Sequence, residues 1–349
     1  MRRLCHPALL SLGLLLLAIT ASAGPASSAT AWVSSNHLQV IDIDEGKVLG
    51  KLPLGEFIHS MRFTADGKRL YVGTSKALRI VDPERIAFSG QLSPRRTRAI
   101  AISDDGQHIY AVHPGDPKVS QAARIAGEPL PLATLSQYSA ASNQEVRSWT
   151  VPALSSDIIL TASNQQIIVL DPDGRKAHFY TTAGQHRGEQ VVVPINQDGN
   201  PAQAMLGPMS LAPNGASFVI PITLREGPML AHISLTEGPN TARVQHHSLE
   251  DRGRVQGLSW DASGEQVLIT ATGGICSFRP DNTEQEWMPQ QVIFIDVAAV
   301  PQSELKVAVA PVFSKRNKSG GVAVLAADGG VLRTVELPDM SPFYVAVRP

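Results

Sequence analysis

His59, Arg98 and Arg147 fall at one and the same position of an internal repeat in this 349-residue chain. The position lies four residues before an apolar slot first held by Phe63, and its other occupants are Gly207, Gln256, Leu305 and Phe343. A position that recurs in every unit of a closed array faces one axis, so these residues are expected to ring one channel mouth. Arginine recognises carboxylate and phosphate through paired hydrogen bonds. Arg95, Arg96, Arg252 and Arg254 lie close by in sequence, and the set itself contains no carboxylate. The chemistry expected is binding of a small anion or an acidic protein surface, with His59, Arg98, Arg147, Gln256 and Phe343 as ligand-binding residues. The competing reading is ordinary solvated side chains in a water-filled channel.

Other chemistries find little footing. Cys-x-x-Cys-His is absent, which excludes covalently attached c-type haem. His-Glu-x-x-His, the phosphate-binding loop and Gly-x-Ser-x-Gly are absent too, so no metal and no cofactor are expected. Ser303-Glu304-Leu305-Lys306 has Ser-x-x-Lys spacing, but it opens an expected strand, and that nucleophile needs a helical turn to bring Lys onto Ser. His246 and His247 are consecutive, and in a strand they point to opposite faces. Three stretches interrupt the repeat and are read as loop insertions. The first, 113–146, carries His113, Lys118, Arg124 and Tyr138. The second, 177–206, carries His178, Tyr180, His186, Arg187 and Glu189. The third, 274–291, carries Cys276, Phe278, Arg279, Asp281, Glu284, Glu286 and Trp287. Long loops in compact domains are often functional, and an exposed Phe278 and Trp287 would suit an interface. For Cys276, burial as a small hydrophobe competes with a reactive thiol.

The elements that must position these residues follow from the repeated phrase. It reads Phe63-Thr64-Ala65-Asp66-Gly67-Lys68-Arg69-Leu70-Tyr71-Val72 and returns as Ile102-Ser103-Asp104-Asp105-Gly106-Gln107-His108-Ile109-Tyr110-Ala111. Asp-Gly between two apolar alternating runs signals a hairpin, with both central residues at positive φ. Leu211-Ala212-Pro213-Asn214-Gly215 and Trp260-Asp261-Ala262-Ser263-Gly264 are further copies, and Trp260-Asp261 sits before the turn, not at the end of a WD-type unit. Two degenerate copies are inferred. In one, Val151 takes the Phe63 slot and Ile158-Ile159-Leu160 the strand after the turn; the other runs over 307–311. Ile80-Val81-Asp82-Pro83 and Val169-Leu170-Asp171-Pro172 end in turns of their own. Four short strands in about 40 residues make a propeller blade. The expectation is an all-β, seven-bladed β-propeller with four antiparallel strands per blade and negligible helix. Ala31-Trp32-Val33-Ser34-Ser35 matches the strand after the turn, and Val345-Ala346-Val347-Arg348-Pro349 the strand before it. Pairing the N- and C-terminal strands would close the ring and remove its exposed edges.

The chain resembles the bacterial YVTN-type seven-bladed propellers. The resemblance rests on Leu70-Tyr71-Val72-Gly73-Thr74, Val40-Ile41-Asp42, Ala99-Ile100-Ala101-Ile102-Ser103-Asp104-Asp105-Gly106 and Tyr344-Val345-Ala346-Val347-Arg348-Pro349. It spans about 30–349 and is strongest over 38–112. It implies a periplasmic or secreted propeller, within a family whose members differ widely in function. Similar propellers include lactonases, lyases and large subunits of amine dehydrogenases. An enzyme of that kind, or a partner subunit of a periplasmic dehydrogenase that holds no redox centre itself, is therefore the alternative to a binding or accessory protein. A metal-assisted enzyme would need carboxylates on the axis, and the inferred ring has none.

Residues 1–23 read as a secretory signal: Arg2 and Arg3, an apolar run over 9–19, and a small-residue cleavage site Ala21-Ser22-Ala23. The run is shorter than the ~20 residues a membrane anchor needs. The mature chain would be 24–349, one propeller domain. Losing Arg2 and Arg3 takes the formal net charge from −1 to −3. Nucleic-acid binders show a basic domain or stripe, and the short basic run at 315–318 reads as a loop tip, so no nucleic-acid partner is expected. Cleavage also removes Cys5 and leaves Cys276, so no internal disulfide forms. A monomer is expected.

Overall fold

The computed structural model describes residues 29–349 apart from 36, 162–164, 236–241, 250–252, 262, 291, 302, 315–318 and 339–341. The expected signal at 1–23, Arg252 and the basic run at 315–318 lie outside the described residues.

The described strands form seven separate antiparallel sheets. In chain order, β1 (Thr30–Ser34), β2 (His37–Asp42) and β3 (Lys47–Pro53) come first. Blade 1 is β4 (Ile58–Phe63), β5 (Leu70–Thr74), β6 (Leu78–Asp82) and β7 (Ala87–Ser93). Blade 2 is β8 (Ala99–Ile102), β9 (His108–His113), β10 (Ala133–Ser139) and β11 (Glu145–Val151). Blade 3 is β12 (Asp157–Leu160), β13 (Gln166–Asp171), β14 (Lys176–Thr181) and β15 (His186–Val191). In blade 4 two short segments, β16 (Met205–Leu206) and β17 (Ser210–Leu211), share the inner place before β18 (Ser217–Thr223), β19 (Pro228–Ser234) and β20 (Arg243–Ser248). Blade 5 is β21 (Val255–Trp260), β22 (Val267–Ala271), β23 (Gly274–Arg279) and β24 (Glu284–Pro289). Blade 6 is β25 (Asp296–Ala299), β26 (Lys306–Ser314), β27 (Ser319–Leu325) and β28 (Val331–Leu337). The last strand, β29 (Tyr344–Val347), joins β1 with Ala31 opposite Val347 and Ser34 opposite Tyr344. The closing blade is therefore β29-β1-β2-β3, and the protein is a seven-bladed β-propeller closed by its two terminal strands.

The core lies between blades. Trp32, Leu38 and Val40 of the closing blade pack with Ile58, Met61, Leu70 and Val72 of blade 1, and Trp32 meets Phe63 edge-on at 6.1 Å between ring centroids. Each sheet buries both faces against neighbours, so its second strand reads as a continuous apolar run: Leu70–Thr74 and Val267–Ala271 are buried throughout. Outermost strands such as Ala87–Ser93 are mostly exposed, which frees their sequence.

The repeated turn is wider than a two-residue hairpin. Gly67 N–H donates to Thr64 O at 2.9 Å, and Thr64 N–H donates to Arg69 O at 3.0 Å. Only the glycine takes positive φ: 64° at Gly67 and 67° at Gly106. This matches a type I turn followed by a left-handed residue. The preceding aspartate closes it: Asp66 Oδ1 accepts from Thr64 Oγ1 at 2.7 Å and Lys68 N–H at 3.1 Å, and Asp105 Oδ1 accepts from Ser103 Oγ at 2.5 Å and Gln107 N–H at 2.9 Å.

The three expected insertions resolve differently. The first holds a helix, α1 (Pro117–Ala126), so helix is not quite absent. Asp116 caps it by accepting from Lys118 N–H at 2.8 Å, Pro117 opens it and left-handed Gly127 ends it, an Asp-Pro…Gly signature legible in the sequence. The second holds the outer strands β14–β15 and then a stretch, 192–204, outside the named strands; the third is mostly the outer strands β23–β24. Phe278 is fully buried and Trp287 half-buried, so neither is an exposed loop anchor. Cys276 is buried in the same blade core. His246 and His247 do diverge: His246 Nε2 bonds Val192 O at 2.9 Å, while His247 packs 5.2 Å from Phe278.

Candidate functional site

The inner strands begin at one end of the axis, around a cavity of about 580 Å³. His59, Arg98, Gln256 and Phe343 all line it, as does Gly207. His59 and Gln256 reach it by the same local device. Ile58 faces Thr74 and Ser60 faces Gly73, so His59 is an extra residue in its strand. Val255 faces Ala271 and Gly257 faces Thr270, so Gln256 is the same. Such β-bulges re-aim a side chain out of the ladder, here into the cavity.

Arg147 and Leu305 are not there. Arg147 sits on β11, the outermost strand of blade 2, opposite Gln137 and beside a different cavity lined by Tyr110 and Thr182. Leu305 precedes β26 and packs against the core between blade 6 and the closing blade. Both errors are one strand in size. Phe63 pairs with Leu70 in blade 1; the matching pairs are Leu160 with Ile167 and Ala299 with Lys306. Four residues back from these lie Ser156 and Ile295, and both line the cavity.

The corrected register brings in two carboxylates that sequence reasoning missed, Asp157 and Asp296. Asp157 accepts from Ile158 N–H at 2.9 Å and, across to blade 4, from Met209 N–H at 2.6 Å. Asp296 accepts from Val297 N–H at 3.0 Å and, across to the closing blade, from Val345 N–H at 2.9 Å. Each ties its inner strand to the next blade. Burial pushes both carboxyls up, Asp296 to about 6, against the pull of these N–H donors and of Arg62. Burial, with Asp296 and Asp157 as neighbouring charges, likewise raises the Tyr344 phenol. The signal available in the sequence was an Asp opening a short apolar run, as in Asp157-Ile158-Ile159-Leu160 and Asp296-Val297-Ala298.

Arg62, Arg98 and Arg254 line the same cavity. The ion pairs of the described residues engage Arg79, Arg85, Arg95, Arg279 and Arg348, and none of the three cavity arginines takes part in them. Among the described residues the Arg98 side chain hydrogen-bonds only Leu154 O, at 3.5 Å, and burial together with the like charge of Arg96 works against its own charge. Burial, then Arg96 and Arg98, lowers His59 to about 4, so His59 is neutral at pH 7 and adds no charge to the ring. Its Nε2 is buried without a hydrogen-bond partner. Aromatic rings finish the rim: Phe57 lies 5.7 Å from Phe343 and 5.1 Å from His59, and both phenylalanines are exposed. Guanidinium groups, a neutral imidazole and an apolar lip thus converge on one opening. This set can hold an anion or a flat anionic molecule. Both carboxylates are already engaged by backbone N–H donors.

No protein-family model matches the chain, and no curated protein matches it. Solved structures share its fold. Hydrazine synthase of Kuenenia stuttgartiensis is 14% identical with a TM-score of 0.67, covering 84% of this chain and 90% of its own. A functionally unknown protein from Desulfotomaculum acetoxidans DSM 771 is 11% identical with a TM-score of 0.67, covering 92% and 99%. Dihydro-heme d1 dehydrogenase NirN, in complex with DHE, is 13% identical with a TM-score of 0.57, covering 91% of this chain and 75% of its own. At these identities the likeness is one of fold.

Proposed function

We propose that this chain is an exported propeller of the YVTN type that works as a binding or accessory protein, taking an anionic ligand or the acidic face of a partner into its axial funnel. The observation that carries the reading is the convergence of Arg62, Arg98 and Arg254, none in an ion pair among the described residues, with the unpartnered His59 Nε2 in one cavity. A positive funnel with low-dielectric walls concentrates field lines and draws anions in. The signal-like segment at 1–23 supports export to the periplasm. That a propeller of similar fold forms a complex with DHE supports the use of this scaffold to hold a ligand.

The two axial carboxylates remove the argument that the axis lacks acids. Their engagement with Met209 and Val345 N–H favours a fastening role over catalysis.

The test is calorimetric titration with inorganic sulfate and with citrate at low and high ionic strength. Binding should weaken with salt, since exposed charges are screened over about 8 Å at physiological ionic strength. Arg98→Ala with Arg254→Ala should abolish it, whereas Arg147→Ala should not. Tight binding of both anions that ignores Arg98 and Arg254, or follows Arg147, would refute the proposal, as would no binding by the intact chain of these probes or of an acidic protein.

A further inference from the structure

Blade 3 ends in the hairpin of β14 and β15, on the outer side of the propeller, away from the axis. Across this ladder His178 faces Glu189 and Phe179 faces Gly188; the register then slips, and Tyr180 faces His186. Arg187 is the extra residue. In a regular strand, residues 186 and 189 point to opposite faces because side chains alternate. One added residue reverses that parity, and His186 comes round to the face of His178 and Glu189. Gly188, beside the bulge, takes φ of 152°, a conformation that a Cβ disfavours. The His178 and His186 rings lie 5.7 Å apart. One donor atom from each of His178, His186 and Glu189 lies within 4.8 Å of the other two.

We propose that His178, His186 and Glu189 form a binding site for a divalent transition-metal ion of the zinc type, with a further coordination position open to water. Two imidazoles and one carboxylate are the donors of three-ligand zinc sites, and imidazole selects such ions over magnesium or calcium. The spacing fits. Two donors at zinc distances on a tetrahedral ion stand about 3.3 Å apart, and His178 Nδ1 lies 3.4 Å from Glu189 Oε2. Lys176 occupies the other carboxylate oxygen, Oε1, which leaves Oε2 for the ion.

The far side of His178 is prepared as well. Its Nε2 is buried without a hydrogen-bond partner, and Asp171 Oδ2 lies 3.8 Å away. A small shift would let Nε2–H donate to Asp171, fixing the tautomer that presents Nδ1 to the metal; ligating histidines commonly have such a carboxylate behind them. Glu189 and Asp171 against Lys176 leave a local excess of negative charge, which suits a cation. His186 and Glu189 are exposed on a cavity of about 450 Å³ bounded by the 150–153 edge of blade 2, so water and a further ligand can reach the ion. The site stands on its own geometry and does not depend on the funnel.

Zinc titration of the mature chain by calorimetry, with metal content measured after gel filtration, tests it. One zinc per chain is expected, with magnesium failing to compete. His186→Ala and Glu189→Gln change exposed residues and should leave the circular dichroism spectrum intact while weakening zinc binding by about 100-fold or more. Asp171→Asn should weaken it by about 10- to 100-fold, as outer-shell partners do. Arg98→Ala with Arg254→Ala should leave it unchanged, which separates this site from the funnel. Zinc binding of unchanged affinity in folded His186→Ala and Glu189→Gln, magnesium competing on equal terms, or no zinc retained by the wild-type chain would each overturn the proposal.

Discussion

Replacing Asp296 by Asn should change how the stability of this propeller depends on pH. Asp296 opens β25 and accepts the N–H groups of Val297 and Val345. Its folded pKa is raised from 3.8 to about 6, chiefly by burial, with Asp157 adding a like charge. A carboxyl raised in this way holds its proton more tightly folded than unfolded. Its stabilising contribution is complete below the unfolded pKa and is lost as pH rises through the folded one. The difference corresponds to about 3 kcal/mol, of which about 2.5 kcal/mol develops between about pH 4 and pH 7.5. Asn keeps one acceptor but turns its amide or loses a bond at Val345, a constant cost of about 1–3 kcal/mol that shifts the curve without tilting it. Relief of repulsion on Asp157 acts in the same direction as the main effect. Urea unfolding of wild type and Asp296→Asn at several pH values measures the tilt. Relative to the variant, wild type should lose about 2.5 kcal/mol from acid to neutral pH. A flat difference, or one of opposite sign, would refute the placement of an axial carboxyl sheltered from water.

The same group should modulate the funnel. Sulfate, whose own charge is constant in this range, should bind more tightly as pH falls through about 6 and Asp296 gains its proton, with no step near 6.5 from His59, which stays neutral down to about 4; titrations on either side of pH 6 decide it, and weaker binding on acidification counts against the reading. Trp32→Ala should cost about 3–5 kcal/mol, since Trp32 is fully buried where the closing blade meets blade 1, and a loss below about 1 kcal/mol in denaturant midpoint would contradict that packing. Mass spectrometry of the exported chain should find its N-terminus at Gly24, and retention of Cys5 would show that the segment is not cleaved.

Much of this architecture is written locally. The Asp-Gly phrase sets its own turn through Thr64, Asp66 and Gly67, and the buried second strand announces itself as an unbroken apolar run, so the blades were legible from residues near one another, and ring closure from the two ends of the chain each carrying a different part of the same phrase. His59, Arg98 and Gln256 could be brought to one mouth because their blades keep the phrase, and Phe343 because the strand before the turn survives at the C-terminal end. Arg147 and Leu305 could not be excluded, because blades 3 and 6 lost it. There the inner strand begins with Asp157 or Asp296, whose partners are N–H groups of the next blade, 52 and 49 residues away in sequence. No local pattern encodes such a partner. The grouping of His178, His186 and Glu189 was hidden for a related reason: alternation predicts opposite faces for residues 186 and 189, and only the pairing of β15 with β14 shows where the extra residue falls. Local chemistry determines which strands form and how they turn. Which strand of a degenerate blade lies innermost, and which side chains a bulge gathers, is decided when neighbouring strands offer their hydrogen bonds.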